Sequence, residues 1–414
     1  MISFNEILLE DKGGKNLHLE HLEDEILNYG VDGGRAALNF LRSLRDMMAG
    51  ASRSSVNMTV KWDGAPAIFA GIDPDDGKFF VAKKSVFNVN PKLYKTTKEI
   101  DDDLSGALNE KFKVALAEFS KLGIKGVLQG DLMFTDDVET TKIDGISYYT
   151  FQPNTIVYAI PVDSKLGKII KKSKVGIVWH TTYTGDTLQG MKASFGADIS
   201  SLSKPSSVWM DDATYKDTSG KSTFTAAETE SVTKILSQVG STFQKINANG
   251  LRKFLTVQNG MIGAISGASL KTYNNSKVRA GEIIKNPSAH AMGYEKWVVD
   301  SIQKQIDKVK SDAGKKKYTD MQKEYHREVR KHTGNLKQII TFQNLLVDAK
   351  MQIVKKLNTV KGLTDTFIKT PKGFKVTNPE GFVAIDRVSG GAVKLVDRME
   401  FSYNNFTAIK SWDK

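Results

Sequence analysis

Strand-type alternation stops near residue 220 of this 414-residue chain and does not resume until about residue 365. Before the gap, SVNMTVKW, APAIFAGI and KFFVAKKSVF (within 54–90), GVLQGDLMF (126–134), YYTFQPNTIVYAIPV (148–162) and VGIVWHTTY (175–183) read as strands. After it come GFKVT, GFVAIDRV and GGAVKLVDRMEF. In between, a helix N-terminal pattern at Thr225–Gln238 leads to helical stretches at Phe243–Val257, Tyr294–Lys310, Tyr318–Lys331 and Leu336–Lys356. Two further helices are expected over 17–50, broken at Gly33 and Gly34, and one over 101–121. The simplest topology is an α+β domain interrupted by a large all-helical insertion. The expected boundaries are 11–53 for the N-terminal helices, 54–220 and 363–414 for the two parts of the domain, and 221–362 for the insertion.

The charge follows the same division. The net charge is +12, and residues 221–360 hold 24 Lys and Arg against 11 Asp and Glu, so the rest of the chain is close to neutral. The insertion, most basic over KSDAGKKKYTDMQKEYHREVRKH (310–332), is therefore the expected contact for a polyanion. There is no cysteine, which excludes disulfides, thiolate zinc sites and cysteine nucleophiles. No apolar run approaches the roughly 18 residues of a membrane span, so no membrane partner is expected.

One strand contains a residue that its pattern does not explain. VNMTVKWDGAPAIFAG (56–71) runs from strand formers into Lys61, turns at Trp62-Asp63-Gly64, and returns to an apolar run. A lysine in a buried strand is costly unless it is paired or used. An amine attacks phosphorus only when neutral, and burial beside other cations favours that form.

Lys61-Trp62-Asp63-Gly64 resembles the K-x-D-G nucleophile motif of the covalent nucleotidyltransferases: ATP-dependent DNA ligases, RNA ligases and mRNA capping enzymes. Further elements follow in that family's order. FFVAKKSVF (79–87) offers Lys83 or Lys84 as the basic residue that contacts nucleotide or nucleic acid. QGDLMF (129–134) is similar to the third motif, with Asp131 where glutamate is usual. TFQPNTIVYAIPV (150–162) stands where the family carries an aromatic residue against the base. PEGFVAID (379–386) matches E-G-[FVI]-V through Glu380, and AVKLVDR (392–398) resembles the strand whose lysine, here Lys394, contacts the α-phosphate. The resemblance covers about 54–185 and 365–410. It implies a ligase-type nucleotidyltransferase fold of antiparallel sheets with flanking helices.

The implied chemistry is ATP-dependent, with Mg²⁺ or Mn²⁺ as the metal. Lys61 would form a lysyl-AMP, which passes to a 5′-phosphate end before a 3′-hydroxyl displaces AMP. Asp63, Gly64, Lys83, Lys84, Asp131, Glu380, Lys394 and Arg398 are the expected nucleotide-binding residues, with Glu380 and Asp131 also expected at the metal. Four departures stand beside it. No arginine follows K-x-D-G closely; aspartate replaces glutamate at 131; Val396 replaces a second lysine; and the chain leaves no room for a C-terminal OB-fold after Asp397. The pattern leans towards RNA ligases, with RNA favoured as the partner. A non-catalytic nucleic-acid-binding virion protein and a protein adenylyltransferase are the alternatives.

Finally, MISFNEILLE (1–10) resembles the capsid-targeting leaders of internal proteins in T-even-like bacteriophages. Those leaders are cut by a prohead protease, here expected after Glu10. The implied location is the phage virion interior and then the host cytoplasm.

Overall fold

The computed structural model describes residues 21–50, 56–215, 223–265, 267–359, 364–370, 373–377, 381–386 and 392–399. Helix α1 (Glu25–Met48) precedes β1 (Val56–Lys61), β2 (Ala67–Ile72) and β3 (Phe79–Ala82). Helices α2 (Thr97–Asp103) and α3 (Gly106–Phe119) lead to β4 (Val127–Phe134), β5 (Glu139–Ile143), β6 (Ile146–Phe151) and β7 (Ile156–Pro161). Helix α4 (Lys165–Ile170) is followed by β8 (Val175–Thr184), β9 (Lys192–Phe195) and β10 (Val208–Asp211). Then come α5 (Ala226–Gln244), α6 (Ala248–Ala264), α7 (Leu270–Arg279), α8 (Pro287–Lys308) and α9 (Asp312–Leu357), with no strand among the described residues of that stretch. The chain returns to strands at β11 (Asp365–Thr370), β12 (Gly373–Val376), β13 (Gly381–Asp386) and β14 (Ala392–Leu395).

The result is a mixed α+β architecture of three sheets with flanking helices. The largest sheet has the order β10-β8-β4-β2-β3, with β9 added on β8. A second sheet runs β12-β11-β7-β6-β5, and a third runs β1-β13-β14. All pairings are antiparallel except β10 with β8. The strands that follow the helices rejoin earlier ones: β11 pairs with β7, and β13 pairs with β1. Topologically, α5–α9 are thus inserted between strands that share sheets.

The third sheet separates two environments, and the period-two rule decides which side chain meets which. Met58, Phe382, Ala384, Val393 and Leu395 join the largest apolar cluster, with residues of α1 and of α5–α9. Thr59, Lys61, Val383, Ile385 and Lys394 face the other way, towards a cavity. The N-terminal helix and the inserted helices share one core: Leu41 of α1 belongs with Leu236, Leu251 and Ile340.

Several helix boundaries differ from the sequence expectation; the helix expected over 101–121 is split into α2, which ends at Asp103, and α3, which starts at Gly106. The break in α1 falls at Tyr29–Gly30, where Gly30 has φ +63°, and not at Gly33 and Gly34. Those two glycines lie inside the helix, where neighbours crowd it. A Cβ on Gly33 would sit 2.1 Å from the Glu25 carbonyl oxygen, and one on Gly34 would sit 2.8 Å from the Phe243 ring. The stretches expected at 318–331 and 336–356 are one 46-residue helix, α9, because Gly334 lies on an open face and forces no break.

A buried ionic cluster ties the start of the described chain to its end. Lys350, fully buried on α9, donates to Glu23 Oε2 at 2.8 Å. Arg398 reaches Asp24 at 3.1 Å, Glu23 at 3.5 Å, and the amide oxygen of Asn275. Burial by itself would raise the Glu23 carboxyl, but Lys350 overrides it and holds the group below the usual carboxylate range. Burial pushes His21 down to about 3, so this neighbour is neutral and adds no charge.

Breaking such a cluster leaves an uncompensated buried charge. Lys350→Ala is expected to cost about 3–5 kcal/mol, measured by urea unfolding. Replacing both Lys350 and Glu23 with apolar residues is expected to recover most of the loss. A single-variant loss within about 1 kcal/mol would mean that the charges are solvated in solution.

Candidate nucleotide site

Between the third sheet and the six-stranded sheet lies a cavity of about 370 Å³. Its wall on one side is Thr59, Lys61, Val383, Ile385 and Lys394. The register lines several of these up across three strands: Thr59 opposes Val383, which opposes Lys394, while Lys61 opposes Gly381. On the other side, β4 and β8 supply Gln129, Asp131, His180 and Thr181. Trp62, Phe69, Tyr183 and Phe195 add aromatic surface, and Lys84 enters from the 3₁₀ turn Lys84–Phe87 that follows β3.

The crossing from β1 to β2 is fixed at every residue. Trp62 is buried, with its ring 5.0 Å from Tyr158 and 5.9 Å from Trp209. The Asp63 carboxylate accepts from Asn154 Nδ2 at 2.6 Å and from the backbone N–H groups of Thr155 and Ile156 at 2.7 and 2.9 Å. The Asp63 N–H donates to the Tyr158 hydroxyl at 2.7 Å. Gly64 passes so close to β4 that a Cβ there would lie 2.5 Å from the Asp131 Cβ and 3.0 Å from the Leu132 carbonyl oxygen. Beyond it, the Ala65 N–H donates to that same Leu132 oxygen at 3.0 Å. The crossing therefore sets the end of β1, where Lys61 stands, against the β4 strand that carries Asp131.

A β-bulge shapes the opposite side. Gln129 pairs with Thr181, but Gly130 pairs with Trp179, so His180 is an extra residue on β8. The bulge lets consecutive residues, His180 and Thr181, both line the cavity. Gly130 allows it, since a Cβ there would meet the Val178 carbonyl oxygen at 2.7 Å. His180 Nε2 lies 3.7 Å from Asp131 Oδ1, and its Nδ1 is 2.8 Å from the Thr181 hydroxyl. Tyr183 donates to Gln129 Oε1 at 2.7 Å, and burial raises the pKa of its hydroxyl.

Of the residues expected from the sequence, Lys61, Lys84, Asp131 and Lys394 come together around this cavity. Asp63 and Gly64 sit beside it in supporting positions, the carboxylate of Asp63 being held by protein donors. Lys83 turns away: it pairs with Asp103 at 3.2 Å. Arg398 belongs to the buried ionic cluster and borders a different cavity, of about 390 Å³. Glu380 lies outside the described residues, as do Glu10 and the rest of 1–20. The sequence reading missed His180, Thr181 and Gln129. A histidine in the apolar run VGIVWHTTY was a signal of the kind that singled out Lys61.

The cavity suits a small anionic ligand with an aromatic part. Three lysines face one carboxylate among the described residues that line it, and aromatic rings form part of its wall. No group of three or more His, Cys, Asp or Glu is placed to hold a metal among the described residues. Asp131 is the one carboxylate among the described residues that line the cavity, a donor set too small for an ion in an all-protein cage.

A family model matches residues 16–410, and the chain belongs to that family, described as a family of unknown function, DUF6267. No curated protein and no solved structure matches the chain.

The crossing is the part of the site most exposed to substitution. Asp63→Ala is expected to cost at least about 3 kcal/mol, because three donors lose a charged acceptor. Gly64→Ala is expected to cost about 1–3 kcal/mol by pressing on β4. Chemical denaturation of both variants checks this, and losses below about 0.5 kcal/mol would show that the crossing is loose.

Proposed function

We propose that this member of DUF6267 is a lysine-dependent nucleotidyltransferase, acting as an ATP-dependent RNA or polynucleotide ligase with the ligase-type fold. One observation carries the reading: Lys61, Lys84, Asp131 and Lys394, drawn from distant parts of the chain, line one cavity between two sheets. Composition alone gives no reason for three lysines and a carboxylate to meet beside aromatic rings.

In this reading the neutral amine of Lys61 attacks the α-phosphorus of ATP. An N–P bond forms, the bond from the α-phosphorus to the bridging oxygen breaks, and pyrophosphate leaves with that electron pair. The amine proton goes to solvent. Lys394 and Lys84 stabilise charge on the phosphoryl oxygens, where fixed cations are most effective. Asp131, with His180 beside it, holds ribose hydroxyls or a Mg²⁺ or Mn²⁺ that arrives with the nucleotide. Asp63 and Gly64 contribute by positioning: they fix the end of β1 against β4. A 5′-phosphate oxygen then takes the adenylyl group and frees Lys61, and a 3′-hydroxyl attacks that phosphate and expels AMP. Packaging in a phage virion belongs to the same proposal and rests on MISFNEILLE.

The test is covalent labelling. Nucleotide-free protein incubated with Mg²⁺ and α-labelled ATP, with GTP in parallel, is run on a denaturing gel. The expected result is an ATP-dependent labelled band that Lys61→Ala abolishes and that Lys394→Ala forms at least about 100-fold more slowly. No band with either nucleotide, in folded protein, overturns the reading and leaves a binding role for the same cavity.

A further inference from the structure

The first part of α9 meets the core only at its edge, through the partly buried Tyr318, Met321 and Tyr325. No residue of this helix before Val329 is buried, although it begins at Asp312. This part packs on α8, through contacts such as Gln322 Nε2 to the Val299 carbonyl oxygen at 2.9 Å and His326 Nε2 to Glu295 at 2.7 Å. The two helices thus form an arm.

The face of α9 beside the row that meets α8 is cationic. Lys316, Lys323, Arg327, Arg330 and Lys337 are all exposed, at intervals of 7, 4, 3 and 7 residues that keep them on one side of a helix. At 1.5 Å per residue the stripe is about 30 Å long. Surface lysines on helices are usually satisfied by neighbouring carboxylates. Here Arg327 meets its neighbour Glu328 at 3.3 Å and Arg330 reaches Glu295 only at 3.9 Å. Lys316, Lys323 and Lys337 make no ion pair among the described residues, and neither does Asp320.

We infer that this stripe binds the sugar-phosphate backbone of a nucleic acid along the arm. The surface stands on the arm's own geometry; the choice of nucleic acid among polyanions rests on the nucleotidyltransferase reading. A membrane surface fits less well, because a helix that lies on lipid needs a free apolar face, and the inward face of α9 is already taken by α8.

The count of cations makes the inference quantitative. Neutralising five phosphates gives a slope of log affinity against log salt near about −4.5 on duplex and about −3.5 on a single strand. On duplex this is a loss of about 500-fold between 50 and 200 mM salt. The experiment is fluorescence anisotropy of the full chain with labelled RNA and with duplex DNA across that range. It is repeated with the triple variant Lys316→Glu, Lys323→Glu, Arg327→Glu, whose folding is checked by circular dichroism. The expected result is a slope smaller by about 1 for each charge reversed and affinity at least about tenfold weaker at low salt. Unchanged slope and affinity in the folded triple variant overturn the inference. So does an unchanged nucleic-acid affinity combined with lost binding to phosphatidylserine vesicles. Covalent labelling by ATP is measured on the same samples. Nucleic-acid binding with these slopes in a wild-type protein that takes no label sinks the nucleotidyltransferase reading and leaves the arm standing.

Discussion

The pairing of β1 with β13 is the interaction on which the site depends. It joins a strand that ends at Lys61 to a strand that begins at Gly381, and β14 then adds Lys394 to the same face. Gly381 is placed there by need: its φ is +143°, and a Cβ would lie 2.5 Å from a Val396 methyl. Without this ladder the wall that holds Lys61 and Lys394 does not exist, whatever the six-stranded sheet does.

That wall is a single layer with two unlike sides. Behind it, α1 and the inserted helices close the largest apolar cluster in the molecule. In front of it lies the cavity, completed by β4 and β8. The inserted helices are therefore not an ornament on a finished domain. Part of them backs the wall, and the buried cluster of Glu23, Asp24, Lys350 and Arg398 fastens that backing next to the end of β14. In the far part, the arm, α9 touches the apolar cluster only through the partly buried Tyr318, Met321 and Tyr325.

How much of this was legible in the sequence depended on whether a local rule applied. Asp131 and Lys394 were reached through the resemblance of QGDLMF and AVKLVDR to family motifs, whereas alternation exposed Lys61, a charged residue in a strand pattern. Alternation could not choose between Lys83 and Lys84: β3 ends at Ala82, the chain enters a 3₁₀ turn, and the period no longer holds. Lys83 instead meets Asp103, twenty residues on. His180 stood out as a polar residue in an apolar run, but the period could not give it a side, since a bulge breaks it there. Arg398 lies past the end of β14, and its partners Glu23 and Asp24 are more than 370 residues earlier, a separation no local pattern reports. Gly33 and Gly34 misled because glycine marks both breaks and close packing, and only the backbone angles at Gly30 tell which.

The separation across the β1–β13 ladder also bears on how the chain is made. The hydroxyl of Thr59 reaches the Val383 carbonyl oxygen across 324 residues. On a ribosome, β1 precedes its partner strand by that separation and waits for it. A contact that distant closes late in folding. Until then the strand that carries Lys61 has an open edge and no cavity. A chain cut short before residue 381 has the lysine, the Trp-Asp-Gly turn and all six strands of the largest sheet, yet it lacks β13 and Lys394. The two lysines of that wall, Lys61 and Lys394, are therefore brought together only after the strand that begins at Gly381 has been made.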